Sequence, residues 1–162
     1  MQRITTLCID IGTSSIKGGI IDGRGAMHRW KRFPLKNTET AGVGSTGPLS
    51  VISIVKKLIS SLAPLDDIHG VSISGNGPTL VPVDSSNNPV ASTLLWNDGN
   101  KIGFPGQPSY YLPKARWFMK NNPESYAKTR HFLSYEALVN RALTGEAAFV
   151  IPSPSFAQYL WT

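Results

Sequence analysis

Near its start the chain carries short apolar runs, and further on its apolar residues recur at helical spacing. Leu7, Cys8, Ile9 and Ile11 form a run of strand length, so Thr6–Ile11 reads as a buried strand. Gly12-Thr13-Ser14-Ser15 supplies a tight turn, and Ile16–Asp22 is a second apolar run. Two such runs around a short polar turn predict a β-hairpin. The Gly18-Gly19 pair weakens the second strand and marks a place where backbone or ligand comes close. Asp22-Gly23-Arg24-Gly25 is another turn, and Ala26–Leu35, with Trp30 and Phe33, reads as a third strand. The chain thus opens on a three-stranded meander.

Lys36–Pro48 is rich in Thr, Gly and Asn and reads as a loop. Val51, Ile54, Val55, Leu58, Ile59 and Leu62 then recur every three or four residues, which predicts an amphipathic helix over Leu49–Leu62. Pro64 stops it. Ile68–Ser74 alternates as a strand does, Ser74-Gly75-Asn76-Gly77-Pro78 is a loop, and Thr79–Val83 is a further strand. Asp84–Asn88 is a turn, Pro89–Trp96 is extended, and Gly99–Ser109 is an irregular connection. Helices follow over Tyr111–Asn121, Pro123–Lys128 and Ser134–Leu143, the last with Ser134 as N-cap and Thr144-Gly145 as its end. Ala147–Ile151 reads as a short strand. The order β-β-β-α-β places the hairpin beside a later crossover strand in an α/β domain.

The 162 residues suffice for one domain with a real core, and a 41% hydrophobic fraction is ordinary for a globular chain. Few charges (16%) with 15 Gly and 12 Pro fit a compact, loop-rich domain. The single cysteine, Cys8, forms no internal disulfide and reads as a small buried core residue in a reducing compartment. No apolar run approaches the roughly 18 residues that a bilayer requires, and no signal peptide is visible, so the expectation is a cytoplasmic protein without a membrane partner. The net charge is +6, yet the cations are scattered at Arg29/Lys31/Arg32, Lys56/Lys57, Lys114/Arg116 and Lys128/Arg130. No dense stripe interleaved with aromatics is present, so no nucleic-acid partner is expected.

The first hairpin concentrates the chemistry. Handling a triphosphate needs backbone donors near the oxygens, a carboxylate for Mg²⁺ and a cation. Asp10-Ile11-Gly12-Thr13-Ser14-Ser15-Ile16-Lys17 offers all three. Gly12 permits a tight turn and close approach of phosphate, and Thr13, Ser14 and Ser15 add hydroxyls. Asp10 ends the strand, placed to hold Mg²⁺ through water, and Lys17 returns on the next strand. An ordinary hairpin with a polar turn fits the same residues, although an Asp ending a buried strand needs a partner. The segment is neither a Walker A loop nor a dinucleotide fingerprint.

The stretch Cys8–Lys17 resembles the first phosphate-binding motif of the actin/hexokinase/Hsp70 superfamily, and within it the FGGY family of carbohydrate kinases. Three further segments, in order, are similar to that family: Gly70–Pro78, Leu94-Leu95-Trp96-Asn97-Asp98, and the helices carrying Pro113–Trp117, Asn122-Pro123-Glu124 and Leu143–Glu146. The resemblance runs from about Ile4 to Glu146 and implies a ribonuclease-H-like (actin-like ATPase) α/β domain with a mixed sheet. It implies that Asp10 organises Mg²⁺ and that Gly12, Thr13, Ser14, Ser15 and Lys17 contact ATP phosphates. It also implies that Asn76, Gly77, Pro78, Trp96 and Asp98 line a site for a sugar or polyol substrate. Lys114 and Trp117 fall in a family signature and are expected to be structural.

The chain departs from the family pattern at Asn100, where relatives often carry Arg, and after Glu146, where Phe149–Pro154 replaces a polar segment. By resemblance, residues 1–162 form an incomplete N-terminal kinase domain, with the catalytic Asp and the ATP-binding C-terminal domain beyond Thr162. Asp66/Asp67 have no matching context, and His28, His69 and His131 are isolated, so none is a candidate base. The expectation is the N-terminal portion of an ATP-dependent carbohydrate kinase, inactive alone. A non-catalytic sugar-binding or regulatory relative is the competing reading.

Overall fold

The computed structural model describes residues 4–35, 47–65, 68–98 and 110–148. Its first unit is the meander: β1 (Thr5–Ile11), β2 (Ser15–Asp22) and β3 (Met27–Pro34) are antiparallel neighbours. After α1 (Pro48–Ser61) the chain returns as β4 (Ile68–Gly75), which pairs with β1 in parallel, giving the sheet order β3-β2-β1-β4. A parallel neighbour needs a crossover, and α1 is that crossover. Its apolar stripe explains the rest: Val51, Val55 and Leu58 are buried, with Leu62 just past its end. They meet Leu7, Ile9, Ile11, Ile16 and Ile20 from the sheet in one core.

A second, two-stranded sheet pairs β5 (Val81–Val83) with β6 (His131–Leu133). Around it lie α2 (Tyr111–Asn121), α3 (Pro123–Lys128) and α4 (Tyr135–Thr144). Ser134 caps α4 by accepting the Ala137 N–H at 3.2 Å, and Gly145 closes it in the left-handed region at φ 87°. Tyr135, Ala137, Leu138 and Val139 on α4 join the core that α1 builds against the first sheet. α1 packs against β2, β3 and α4, and α4 in turn packs against β4, beside the loop that leaves β4 at Gly75.

Several features differ from the sequence expectations. The strand over Thr79–Val83 shortens to Val81–Val83, with Leu80 bridged separately to Leu94. β6 was not anticipated, because three residues carry too little periodicity to register. Cys8 is only partly buried, on the sheet face opposite Leu7 and Ile9, so it is not a core residue. The close approach expected at Gly18 is one of backbone and packed side chain: a Cβ there would meet Leu58 Cδ2 at 2.6 Å and the Cys8 carbonyl at 2.9 Å. Ala147 and Ala148 are not in a strand, and 149–151 lie outside the described residues, as do 36–46, 66–67 and 99–109.

Candidate functional site

The register of the hairpin builds the first part of the site. Asp10 stands directly across from Lys17, and Nζ lies 3.1 Å from Oδ2 with both side chains about half exposed. Both leave the sheet face opposite the one where Ile9, Ile11 and Ile16 are buried, as strand alternation requires. At the turn, the Gly12 N–H donates to the Ser15 carbonyl at 3.0 Å, and a Cβ on Gly12 would sit 3.0 Å from that same oxygen. Glycine keeps the turn closed. Ser14 is exposed, and its carbonyl accepts the Leu35 N–H at 2.9 Å. Ser15 is buried, and its hydroxyl accepts from Arg32 Nε at 3.1 Å. Its side chain is thus engaged by β3, on the face that also carries Lys17.

The second part arrives from the end of β4. The Asn76 N–H donates to the Ile11 carbonyl at 2.9 Å, so the β1–β4 ladder runs straight into the loop. Thr79, fully buried, holds Asn76 by sharing its hydroxyl between the backbone carbonyl and Oδ1, the latter at 2.9 Å. With Oδ1 so occupied, Nδ2 faces the hairpin and donates to Thr13 Oγ1 at 3.2 Å. Trp96 Nε1 donates to the same Oγ1 at 3.0 Å. Two acceptor positions on one hydroxyl are thereby filled, and its own proton is left to donate outward. Trp96 is 41% exposed, so it is not a core residue. Gly77 is exposed beside it, and Pro78 follows through a cis peptide bond.

Asp98 differs from the other candidates. It is buried, and Oδ2 accepts the Leu95 N–H at 2.7 Å, closing the turn that presents Trp96. Its charge acts on Lys114 and Tyr135. Lys114 is fully buried and donates from Nζ to the Pro78 carbonyl at 2.7 Å. Burial pulls the Lys114 pKa down to about 7, with Asp98 opposing. Burial pushes Tyr135 up to about 12, and Asp98 adds to that rise. Glu136 lies under the loop: a Cβ on Gly75 would sit 2.5 Å from Glu136 Cδ, so glycine there makes room for the carboxylate. Its Oε2 is buried without a hydrogen-bond partner among the described residues.

The structure thus brings Asn76 and Trp96 onto Thr13, in the turn of the hairpin that pairs Asp10 with Lys17, while Asp98 is buried behind the Trp96 turn. Sequence reasoning missed Thr79 and Glu136 and gave Lys114 no particular task. A signal for Lys114 was available: it shares the buried stripe of α2 with Tyr111 and Phe118, where a cation is out of place.

No family model matches the chain. Among curated proteins it is 26% identical over 166 residues to the xylulose kinase of Lactococcus lactis, covering 86% of this chain and 32% of that one. It is 28% identical over 166 residues to the xylulose kinase of Bacillus subtilis, covering 85% and 32%. The fold superposes on xylulose kinase structures from Brucella ovis (TM-score 0.74, 23% identity, 88% of this chain and 34% of that one) and Bifidobacterium adolescentis (0.74, 19%, 94% and 36%). The chain is thus similar to sugar kinases over most of its own length. It shares their actin-like α/β fold. It spans about a third of the length of the curated relatives it matches.

The hairpin residues are of the chemical kinds that a magnesium–nucleotide complex takes. Mg²⁺ takes few protein carboxylates and keeps water and phosphate oxygens, so Asp10 alone is a sufficient protein anchor. Lys17 and the Thr13 and Ser14 hydroxyls are a cation and donors of the kind that a phosphate takes. No helix among the described residues is long and apolar enough to cross a membrane.

Proposed function

We propose that this chain carries the phosphate hairpin and the sugar loop of an ATP-dependent carbohydrate kinase, which transfers the γ-phosphate of MgATP to a hydroxyl of a sugar or polyol. One observation supports this above the rest: Asn76 and Trp96 come from separate segments and both end on Thr13 Oγ1. Residues resembling sugar contacts therefore meet a residue resembling a phosphate contact at a single oxygen, which is the adjacency that transfer requires.

In this reading Asn76, Gly77 and Pro78 form one wall of the sugar pocket and Trp96 offers its indole face as another. Asp98 acts from behind by fixing the Trp96 turn. Asp10 holds Mg²⁺, which when bound neutralises charge on the phosphates. Lys17 exchanges Asp10 for a phosphate oxygen, and the Thr13 proton, directed outward, donates to the ligand. Gly12 contributes close approach, because its own N–H is committed within the turn. Two of the carboxylates nearest the site are engaged already, Asp10 with Lys17 and Asp98 with the Leu95 N–H, and Glu136 is tucked beneath Gly75. We therefore assign the base that takes the sugar proton, and the adenine pocket, to a second domain, in a protein working in the cytoplasm.

Calorimetric titration tests the assignment. D-xylulose, D-gluconate and glycerol serve as sugar probes, each with and without a magnesium complex of a non-hydrolysable ATP analogue. At least one probe is expected to bind, and Asp10→Asn to weaken the nucleotide while sparing the sugar. Failure of all three probes and of the nucleotide would overturn it.

A further inference from the structure

Lys114 is the buried charge that the reading above leaves without a task. It lies on the inner stripe of α2 between Tyr111 and Phe118 and is fully buried. An ammonium in that position is expensive unless its partners compensate it, and an aliphatic side chain would fill the same space without that cost. The partners therefore indicate the task. Nζ donates to the carbonyl of Pro78, the last residue of the Asn76–Pro78 loop, at 2.7 Å. The charge of Asp98 acts on Lys114, and Asp98 closes the Trp96 turn through the Leu95 N–H at 2.7 Å. The next residue after Pro78 is Thr79, which holds Asn76 through Oδ1 at 2.9 Å. One ammonium thus stands between the two segments whose tips, Asn76 and Trp96, converge on Thr13.

We propose that Lys114 is a positioning residue that locks the Asn76–Pro78 loop to the Trp96–Asp98 turn and thereby sets the width of the pocket between them. Its consequence for sugar selectivity rests on the proposed kinase function, whereas the lock itself does not. Either protonation state of the amine keeps an N–H for Pro78, but only the ammonium attracts Asp98. The lock is a pair of contacts of different kind, one a hydrogen bond and one a charge.

The test compares Lys114→Met, which keeps the volume and removes donor and charge, with Lys114→Arg and with Phe118→Leu. The last variant disturbs the same stripe at a ring that packs on Phe132 of β6. The ligand-free readout is the Trp96 indole N–H resonance together with amide exchange over residues 76–80. Lys114→Met is expected to move the indole resonance and to speed that exchange about tenfold, the size of one lost buried hydrogen bond. Phe118→Leu is expected to do neither, and Lys114→Arg to restore part of the exchange protection. Identical behaviour of Lys114→Met and Phe118→Leu overturns the proposal.

The second readout is the ratio of D-xylulose to D-gluconate affinity, expected to change in Lys114→Met by more than it does in Phe118→Leu. If the resonance and exchange respond but neither sugar binds even the unaltered protein, the lock stands and the sugar-site reading falls. Should Lys114→Met not fold, Asp98→Asn asks the same question, since it keeps an acceptor for the Leu95 N–H and removes the charge facing Lys114. Unchanged exchange over residues 76–80 in Asp98→Asn overturns the lock as well.

Discussion

The Thr13 hydroxyl joins three segments of the chain, and Thr13→Val removes that junction at nearly constant volume. Asn76 Nδ2 and Trp96 Nε1 then turn to water, so the expected loss of stability is modest, about 1 kcal/mol. The loss in function is expected to be larger, because sugar loop and hairpin no longer share a fixed point. Chemical denaturation checks the first, and titration with the nucleotide analogue checks the second. A different residue governs behaviour in acid. Asp22 accepts from His28 at 2.8 Å and from the N–H groups of Ala26 and Arg24, and these hold its pKa at about 2 against an ordinary 3.8. A carboxylate with a depressed folded pKa stabilises above its unfolded pKa, and that contribution is lost as pH falls from about 4 towards 2. Melting temperatures over that window are expected to fall less steeply in Asp22→Asn, which keeps the acceptor and cannot titrate. At this scale the sequence nominated Asp10 and Lys17 separately, and the hairpin register then set them across from each other. Ser15 lies on the same strand face as Lys17, and there its hydroxyl accepts from Arg32, the residue across from Lys17 on β3.

Elements with a sustained period were legible before any coordinates. α1 and α2 follow from their three- and four-residue spacing, and α4 from its Ser134 cap and Gly145 stop. β6 was not, because a three-residue strand exists only through its partner β5. The joint between α1 and β2 is another property of two elements together: Gly18 has no side chain so that Leu58 can descend onto the sheet. Gly18→Ala is expected to cost about 1–3 kcal/mol by overpacking. Leu58→Ala, at a fully buried position, is expected to cost about 2–5 kcal/mol through the cavity it leaves. The double variant is expected to be more stable than the sum of the two predicts, because the missing leucine yields space to the new methyl. Urea denaturation of all four proteins measures this coupling, and strict additivity would contradict the contact.

The whole molecule couples its site to pH through buried groups that no single segment contains. Lys114 has a folded pKa of about 7 against an ordinary 10.5, so between those values the unfolded chain binds more protons. Stability from this group therefore rises with pH across that interval. Tyr111 and Tyr135, raised to about 12 from 10.0, act in the opposite sense above pH 10. Thermal unfolding from pH 6.5 to 9.5 is expected to show a rise in melting temperature that is smaller in Lys114→Met. The amino-acid order was enough to establish the meander, the crossover helix and the family resemblance, because strand alternation, helical spacing and turn residues are local and repeat along the chain. It was also enough to nominate Asp10, Thr13, Asn76 and Trp96. That Asn76 and Trp96 meet on the Thr13 hydroxyl, that Asp98 faces inward, and that a buried lysine ties the two loops together emerged only in three dimensions. Those facts depend on which distant segments pack together and on which polar atoms lose water when they do, and neither is written in any one stretch of the chain.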